Sequence, residues 1–132
     1  MKILDPGHEY ILAELDKEDH EWPLHTLRFV KREGDNFPGN VGHYHGTTTQ
    51  EVIRVLIDRI KYVDNQKPHG TNRRALLLLR DILIVLEERA ASQHGLLLGY
   101  FNCEVEDIPV CPHCGHWACE QFANPQVSVT PE

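Results

Sequence analysis

Four cysteines near the C-terminal end of the chain have a spacing that suits a metal ion. Cys111 and Cys114 are separated by two residues, and Gly115 follows the second of them. Such a sequence forms a tight turn whose two thiolates and backbone amides fit one tetrahedral zinc ion. Cys103 and Cys119 flank the pair. We therefore predict a closed, structural zinc site formed by all four cysteines.

Histidines and acids beside these cysteines leave other arrangements open. His116 is an alternate ligand that could replace one cysteine, and His113 competes with it, because imidazole nitrogen also binds zinc. A set of reduced cysteines without metal is a further alternative. A catalytic zinc would need an open position and a nearby general acid or base, for which Glu104 and Glu120 are available. Their spacing singles out neither acid, so the structural site is favoured.

A second chemical feature is the glycine-rich loop at residues 33–46, which contains four glycines and one proline. Glycines let backbone amides turn towards an anion, and the start of the following helix offers more free amides. Nearby cations could bind phosphate, while Phe37, Tyr44 and Tyr62 could stack on a nucleobase. The candidate ligand-binding residues are Arg28, Lys31, Phe37, Asn40, His43, His45, Gln50, Arg54, Tyr62, Asn65, Asn72 and Arg73.

No contiguous catalytic motif accompanies this loop. There is no Gly-x-Ser-x-Gly turn and no phosphate-binding Gly-x-x-x-x-Gly-Lys sequence. His43 and His45 would share one side of an extended segment, but no acidic residue at suitable spacing completes a metal site. We interpret the two histidines as hydrogen-bonding or ligand-contacting groups. The sequence therefore predicts binding without catalysis, although an active site between subunits would leave no such motif.

The elements that position these residues are predicted to be strands followed by helices. Residues 9–15 and 24–32 are typical of an antiparallel hairpin joined by an acidic turn. A short extended segment from Leu96 leads towards the cysteines. The fold class is α+β: an N-terminal hairpin or small sheet, a two-helix hairpin, and a zinc-knuckle-like tail. The predicted domains are 1–100 for ligand binding and oligomerisation, 101–122 for the knuckle, and 123–132 as a flexible tail.

The two helices have clear predicted ends. The first starts after a cap at Thr47 or Thr48 and runs to about Asn65, with apolar residues recurring at steps of three and four. A cap at Thr71 or Asn72 starts the second helix, which runs to about His94 before the stop at Gly95. The apolar stripe of the first helix is predicted to contain Val52, Ile53, Leu56, Ile57, Ile60 and Val63, with Glu51, Arg54, Asp58, Lys61 and Asn65 opposite.

The second helix is too apolar for the surface of a small monomer. Between residues 75 and 86 only Arg80 and Asp81 are polar. A helix on the surface of a monomer has a polar face about half its circumference wide, so both sides of this helix need a cover. The chain has little other material, and a second copy is the simplest cover. We predict a homo-oligomer, a dimer or higher. The narrow polar strip is predicted to contain Arg73, Arg80, Asp81, Glu87 and Glu88.

Charge and hydropathy limit the partners. The net charge is −7, with acidic ends and a basic middle between residues 22 and 99. A long nucleic acid would meet the acidic ends, whereas a small phosphate-bearing molecule in a pocket would be screened from them. Apolar runs are broken by charge, and the N-terminus lacks the apolar stretch of a signal peptide. We expect a cytoplasmic protein with no membrane partner.

Several segments resemble a family of small phage and prophage proteins, the Thoeris anti-defence proteins that sequester cyclic ADP-ribose isomers. They are residues 1–10, 29–34, 37–43, 46–52, 62–66 and 86–91, together with His94 and Gly95. The resemblance covers about residues 1–95 and leaves out the cysteine tail. It implies that a signalling nucleotide, or a cyclic oligonucleotide, is held between protomers in the cytoplasm of an infected bacterium, which blocks antiphage immunity. The alternatives are a zinc-stabilised adaptor for a host protein and a metal-assisted nucleotide hydrolase.

Overall fold

The computed structural model describes residues 1–15, 25–32, 43–99, 103–119, 124 and 127–129. The chain divides into two compact units, Met1–Thr49 and Gln50–Glu132. The first unit contains a three-stranded antiparallel sheet, and the second contains two helices, a short β-ribbon and the cysteines. The predicted α+β class is confirmed. The predicted domain boundaries at residues 100 and 122 both fall within the second unit.

The sheet of the first unit comprises β1 (Lys2–Asp5), β2 (Glu9–Ile11) and β3 (Thr26–Arg28), in that spatial order. Antiparallel pairing of β2 with β3 confirms the predicted hairpin, although both strands are shorter than expected. The additional strand β1 reaches β2 through a tight turn. Gly7 has a φ of 80°, and the His8 N–H donates to the Asp5 carbonyl at 2.9 Å. Proline followed by glycine at the centre of this turn favours such geometry.

The segment before the first helix adds to the sheet. Thr47 donates its N–H to the Arg28 carbonyl and accepts from Val30, both at 2.9 Å. Gly46 brings this segment very close to the strand, because a Cβ placed there would lie 2.5 Å from the carbonyl carbon of Phe29. Only glycine fits this approach without moving backbone. The end of the glycine-rich loop is thereby fixed beside β3.

The second unit begins with α1 (Thr49–Gln66), which is followed by α2 (Gly70–Gln93). The cap of α2 precedes both predicted caps, because Nδ1 of His69 accepts the Thr71 N–H at 3.1 Å. The predicted stop is confirmed at Gly95, whose φ is 68°. Helix α1 starts one residue after the later of its two predicted caps. Apolar periodicity predicted the first helix, and an apolar run followed by Gly95 predicted the second, whereas the cap of α2 depends on the side chain of His69.

Contacts at both ends show that the helices run antiparallel. Arg54, near the start of α1, lies 3.5 Å from Glu87, near the end of α2. Asn72, at the start of α2, donates to Asp64 of α1 at 3.1 Å. The core beside this hairpin includes side chains from the cysteine segment. Its buried members are Ile53, Ile57, Leu83, Val105, Ile108 and Trp117.

The C-terminal region is more structured than predicted. Strand β4 (Leu96–Leu98) confirms the expected extended segment, and it pairs antiparallel with β5 (Val127–Val129). These three residues lie within the segment 123–132 that the sequence predicts to be a flexible tail. Two β-branched valines suit an extended strand, and the backbone of β4 provides hydrogen-bonding groups for it. A 3-10 helix at Val105–Asp107 lies between β4 and the cysteines.

The faces of the helices differ from the predicted pattern at particular positions. Ile53 and Ile57 are buried as expected, but Leu56 of the same stripe is 45% exposed. Arg54, predicted on the opposite face, has a side chain only 11% exposed. Glu87, predicted in the polar strip of α2, is fully buried. Both differences have one cause, since Arg54 and Glu87 face each other across the helical hairpin.

Helix α2 has an exposed apolar face formed by Leu78, Ile82 and Val85, which we call the α2 apolar face. These side chains are 54%, 48% and 60% exposed, and their spacing of four and three places them on one side of the helix. Part of the apolar sequence of α2 is therefore exposed on the surface of the chain. That a second copy of the chain covers the α2 apolar face stays a prediction. Within the described ranges, neither helix is both long and apolar enough for a membrane span.

Candidate metal centre

Three of the four cysteines come together. The sulfur atoms of Cys111, Cys114 and Cys119 all lie within 4.8 Å of one another. Cys111 is buried, the other two are half-buried, and all three are free thiols. This distance allows one ion to contact three sulfur atoms, since metal–sulfur bonds are about 2.3 Å long for zinc. The cluster could therefore hold a metal ion.

The turn between Cys111 and Gly115 shapes the site. The Gly115 N–H donates to the carbonyl of Cys111 at 2.8 Å, and the Cys111 N–H donates to the carbonyl of His116 at 2.9 Å. Gly115 has a φ of 75°, a conformation that other residues rarely adopt. This explains the glycine after the second cysteine. Both the N–H and the carbonyl of Cys111 are therefore hydrogen-bonded within the turn, which fixes the backbone that carries its sulfur.

Backbone amides and burial give Cys111 and Cys114 different acidities. The His113 N–H, followed by that of Cys114, lowers the pKa of Cys111 below its usual value although burial opposes the charge. Burial raises the pKa of Cys114 to about 11. The Cys111 thiol therefore ionises more readily than the Cys114 thiol. A bound metal ion favours ionisation of either thiol, because its ligands bind as thiolates.

The remaining predicted ligands lie outside this group. Cys103 is exposed, and in the described part of the chain it does not join the other three cysteines. Nδ1 of His116 is instead 3.3 Å from Nε2 of Gln50 and 3.7 Å from the carboxyl group of Glu87. Glu104, one of the possible acids for a catalytic zinc, forms an ion pair with Lys61 at 2.9 Å. The other acid, Glu120, is outside the described residues.

Ion pairs attach the cysteine segment to the helices. Arg80 of α2 donates to both carboxylate oxygens of Glu106, with Nε–Oε1 at 2.8 Å and Nη2–Oε2 at 2.9 Å. Burial is the largest influence on Glu106 and opposes its ionisation, but the hydrogen bonds from Arg80, a backbone hydrogen bond and the charges of Arg80 and Lys61 together hold the pKa of this carboxyl below its usual value. A bidentate pair fixes geometry as well as distance. The segment before the cysteines is therefore held to α2 by Arg80 and to α1 by the Lys61–Glu104 ion pair.

The buried Glu87 is a site residue that the sequence analysis missed. Its Oε2 accepts the backbone N–H of Trp117 at 3.0 Å, two residues before the ligand candidate Cys119. The side chain of Trp117 is fully buried in the core. A glutamate on the solvent face would have suited the periodicity of α2, so nothing in the pattern distinguished it from Glu88. The packed cysteine segment on one side and Arg54 of α1 on the other bury this carboxyl group.

The predicted anion-binding residues of the first unit gather around Tyr44. The Arg28 guanidinium is 5.3 Å from the centre of this ring, and the Lys31 Nζ is 5.7 Å from it. The Tyr44 hydroxyl donates to Oδ2 of Asp5 at 2.6 Å, and Lys31 donates to the same oxygen at 3.0 Å. Arg28 donates to Glu9 at 2.6 Å and its side chain is 53% exposed.

Burial, followed by the hydrogen bond to Asp5, raises the pKa of Tyr44 to about 12. The ring is therefore a neutral aromatic group beside two cations, and we call Arg28, Lys31 and Tyr44 the Tyr44 surface. His43 and His45 flank Tyr44 in the sequence, and the centres of their rings are 5.7 Å apart. Phe37 and Asn40 lie outside the described residues.

The predicted ligand-binding residues of the second unit do not form one group. Gln50 is buried and lies beside His116, while Arg54 lies 3.3 Å from Glu51 as well as 3.5 Å from Glu87. The Tyr62 hydroxyl accepts from Gln66 at 2.9 Å, and Asn72 donates to Asp64. Asn65 and Arg73 are exposed on α1 and α2.

No protein-family model matches the chain, and no curated protein is significantly similar to it.

Proposed function

We propose that the chain binds a small signalling nucleotide without converting it, and so withholds it from a receptor of antiphage immunity. The Tyr44 surface is the observation that carries this proposal. It combines two cations, which suit phosphate, with an aromatic ring, which suits a nucleobase. The resemblance of residues 1–95 supports a cyclic ADP-ribose isomer as the first ligand to test, with cyclic oligonucleotides second.

The two cations have different parts in this proposal. Arg28 forms an exposed ion pair with Glu9, and such pairs contribute only about 0–1 kcal/mol, so the guanidinium can turn to a phosphate at little cost. Lys31 is held more closely, with a side chain 20% exposed beside Asp5. The hydroxyl of Tyr44 is fixed by the same carboxylate. A ring already held in place loses little entropy when a base stacks on it, which favours tight binding.

The α2 apolar face supports the further proposal that the protein works as a homo-oligomer. Leu78, Ile82 and Val85 together present more exposed apolar surface than isolated surface residues require. Pairing of this face with a second copy would remove it from water. The resemblance implies the setting of this oligomer, a nucleotide-binding protein in the cytoplasm of an infected bacterium.

We also propose that the three clustered cysteines hold a structural zinc ion. Three sulfur atoms within 4.8 Å and a glycine turn after Cys114 support this proposal, because they would supply three of the four ligands that a tetrahedral zinc site needs. Cys103 and His116 remain the candidates for the fourth ligand, each after a local rearrangement. Metal analysis of the purified protein tests the stoichiometry, and the Co²⁺-substituted protein should show thiolate-to-metal charge-transfer absorption that Cys111→Ser reduces.

A thermal-shift panel tests nucleotide binding. Cyclic ADP-ribose isomers and cyclic oligonucleotides are added to the full chain, and at least one should raise the melting temperature, because a ligand that binds only the folded state stabilises it. Arg28→Ala should weaken binding about 10- to 100-fold, the range for loss of one charge-assisted contact. Lys2→Ala is the matched control, an exposed cation of the same sheet. A flat response to every nucleotide contradicts the proposal.

A zinc-stabilised adaptor for a host protein is the second candidate function. The exposed apolar residues of both helices favour it, since such surfaces also serve protein partners; α1 contributes Val55 and Tyr62. An adaptor predicts that no nucleotide shifts the melting temperature. Substitution of Val85 by a charged residue would then abolish partner binding and leave the oligomeric state unchanged.

A further inference from the structure

We propose that the metal ion closes the open end of the helical hairpin, with Glu87 as the residue that positions the metal-binding loop on α2. This inference rests on the metal site proposed above. The two helices are joined by residues 67–69 at one end only. At that end Asp64 also accepts hydrogen bonds from His69 and Asn72. The opposite end, where α1 starts and α2 finishes, has no covalent connection between the helices.

Two consecutive residues of the cysteine loop contact both helices at this open end. Nδ1 of His116 lies 3.3 Å from Nε2 of Gln50, in the first turn of α1. The Trp117 N–H donates to Oε2 of Glu87, in the last third of α2, at 3.0 Å. Both residues lie between Cys114 and Cys119, whose sulfur atoms belong to the cluster. An ion that binds these two cysteines therefore fixes the loop that bridges the helices.

Buried side chains add further contacts between the cysteine loop and the two helices. Trp117 is fully buried with Ile53, Ile57 and Leu83, so the loop contributes a large side chain to the core between the helices. Arg54 reaches from α1 to within 3.5 Å of the Glu87 carboxyl group. Glu87 thus contacts the loop on one side and α1 on the other. Groups that orient a metal-binding segment in this way commonly affect metal affinity without touching the ion.

Hydrogen exchange of the full chain tests the closure directly. Peptides from 50–57 and 83–91 report on the open end, and peptides from 63–76 report on the linked end. Removal of zinc with a chelator should raise exchange at the open end by about fivefold or more relative to the linked end, as expected for local opening. An equal change at both ends, or no change at either, would overturn the inference.

Three substitutions separate Glu87 from general effects. Glu87→Met keeps the size but removes the acceptor for Trp117, and zinc affinity measured by chelator competition should fall about 10- to 100-fold. Glu87→Gln keeps an acceptor oxygen and should retain most of the affinity. Glu88→Gln, an exposed neighbour, is the control and should leave affinity unchanged. The charge-transfer spectrum with Co²⁺ should be the same in all three, because the sulfur ligands are intact.

The outcomes distinguish the two levels of the proposal. If the wild-type protein binds neither Zn²⁺ nor Co²⁺, the metal site itself is refuted. If it binds both but Glu87→Met has the affinity of Glu88→Gln, the positioning role of Glu87 is refuted. Should Glu87→Met fail to fold, hydrogen exchange of the wild-type protein with and without zinc still decides whether the ion closes the open end.

Discussion

Replacement of Trp117 by alanine should destabilise the second unit more than any other single truncation of its core. The side chain is fully buried among Ile53, Ile57 and Leu83. A buried tryptophan removes about 150–250 Å² from water, which at about 25 cal/mol per Å² corresponds to about 4–6 kcal/mol. This is an upper bound because unfolded chains already bury some surface, and measured truncations of this kind cost about 3–5 kcal/mol.

Urea unfolding followed by circular dichroism measures this effect in the zinc-loaded protein. With an m-value of about 2 kcal/mol per M, a loss of about 3–5 kcal/mol lowers the midpoint by about 1.5–2.5 M. Trp117→Phe should lose much less, since it keeps an aromatic ring in the core. Ile108→Val, at a buried position of the same cluster, calibrates the scale with an expected cost of about 0.5–1.5 kcal/mol. A loss below about 1 kcal/mol for Trp117→Ala would refute the view that the cysteine segment forms part of the helical core.

Gly46→Ala should destabilise the first unit by about 1–3 kcal/mol, because its Cβ would lie 2.5 Å from strand backbone, and faster exchange of the sheet amides would report it. Asp64 has a pKa lowered first by the His69 N–H, so it stabilises the fold above pH 3.8, and this contribution is lost as pH falls through the lower folded value. The difference in urea midpoint between wild type and Asp64→Ala should therefore be full at pH 6 and shrink on acidification; a constant difference would contradict this. Arg80→Met leaves Glu106 without its bidentate partner and should cost about 2–3 kcal/mol in urea unfolding, whereas a cost below about 0.5 kcal/mol would show that the pair is not structural.

Local signals in the sequence were sufficient for much of the fold. Gly95 ended α2 as predicted because a left-handed conformation is required there. Apolar periodicity predicted α1, an apolar run between a cap and a stop predicted α2, and alternation predicted the hairpin of β2 and β3. The Cys-x-x-Cys-Gly turn likewise depends only on neighbouring residues, so Cys111 and Cys114 were found from spacing. These features share one property: the residues that determine them are close in the chain.

Features that depend on distant residues were not predictable in this way. Glu87 and Arg54 were assigned to solvent faces by periodicity, but each is buried because the other lies opposite it. Trp117 became a core residue only when its segment packed on the helices. Strand β5 could not be assigned without knowing that β4 would pair with it. Sequence patterns describe an element's own faces, and they do not show which polar residue a distant partner will bury.

The Tyr44 surface illustrates the same division for the candidate ligand site. Arg28 and Lys31 were chosen for their charge near a glycine-rich loop, and the structure does bring both to one ring. The acids that neutralise them, Asp5 and Glu9, come from the first two strands. Strand pairing rather than local spacing placed those carboxylates there. The proposed site is therefore a cation–aromatic surface in which each cation is paired with a carboxylate.

Recovery of bound nucleotide tests the central claim most directly. The purified protein is incubated with a cyclic ADP-ribose isomer, separated from free nucleotide by desalting, denatured by heat, and the released material is quantified by mass spectrometry. Binding without conversion predicts that the intact cyclic nucleotide is recovered in proportion to protein, and that Arg28→Ala retains far less of it. Release of a hydrolysed product, or no retained nucleotide with any cyclic ligand, would contradict the account.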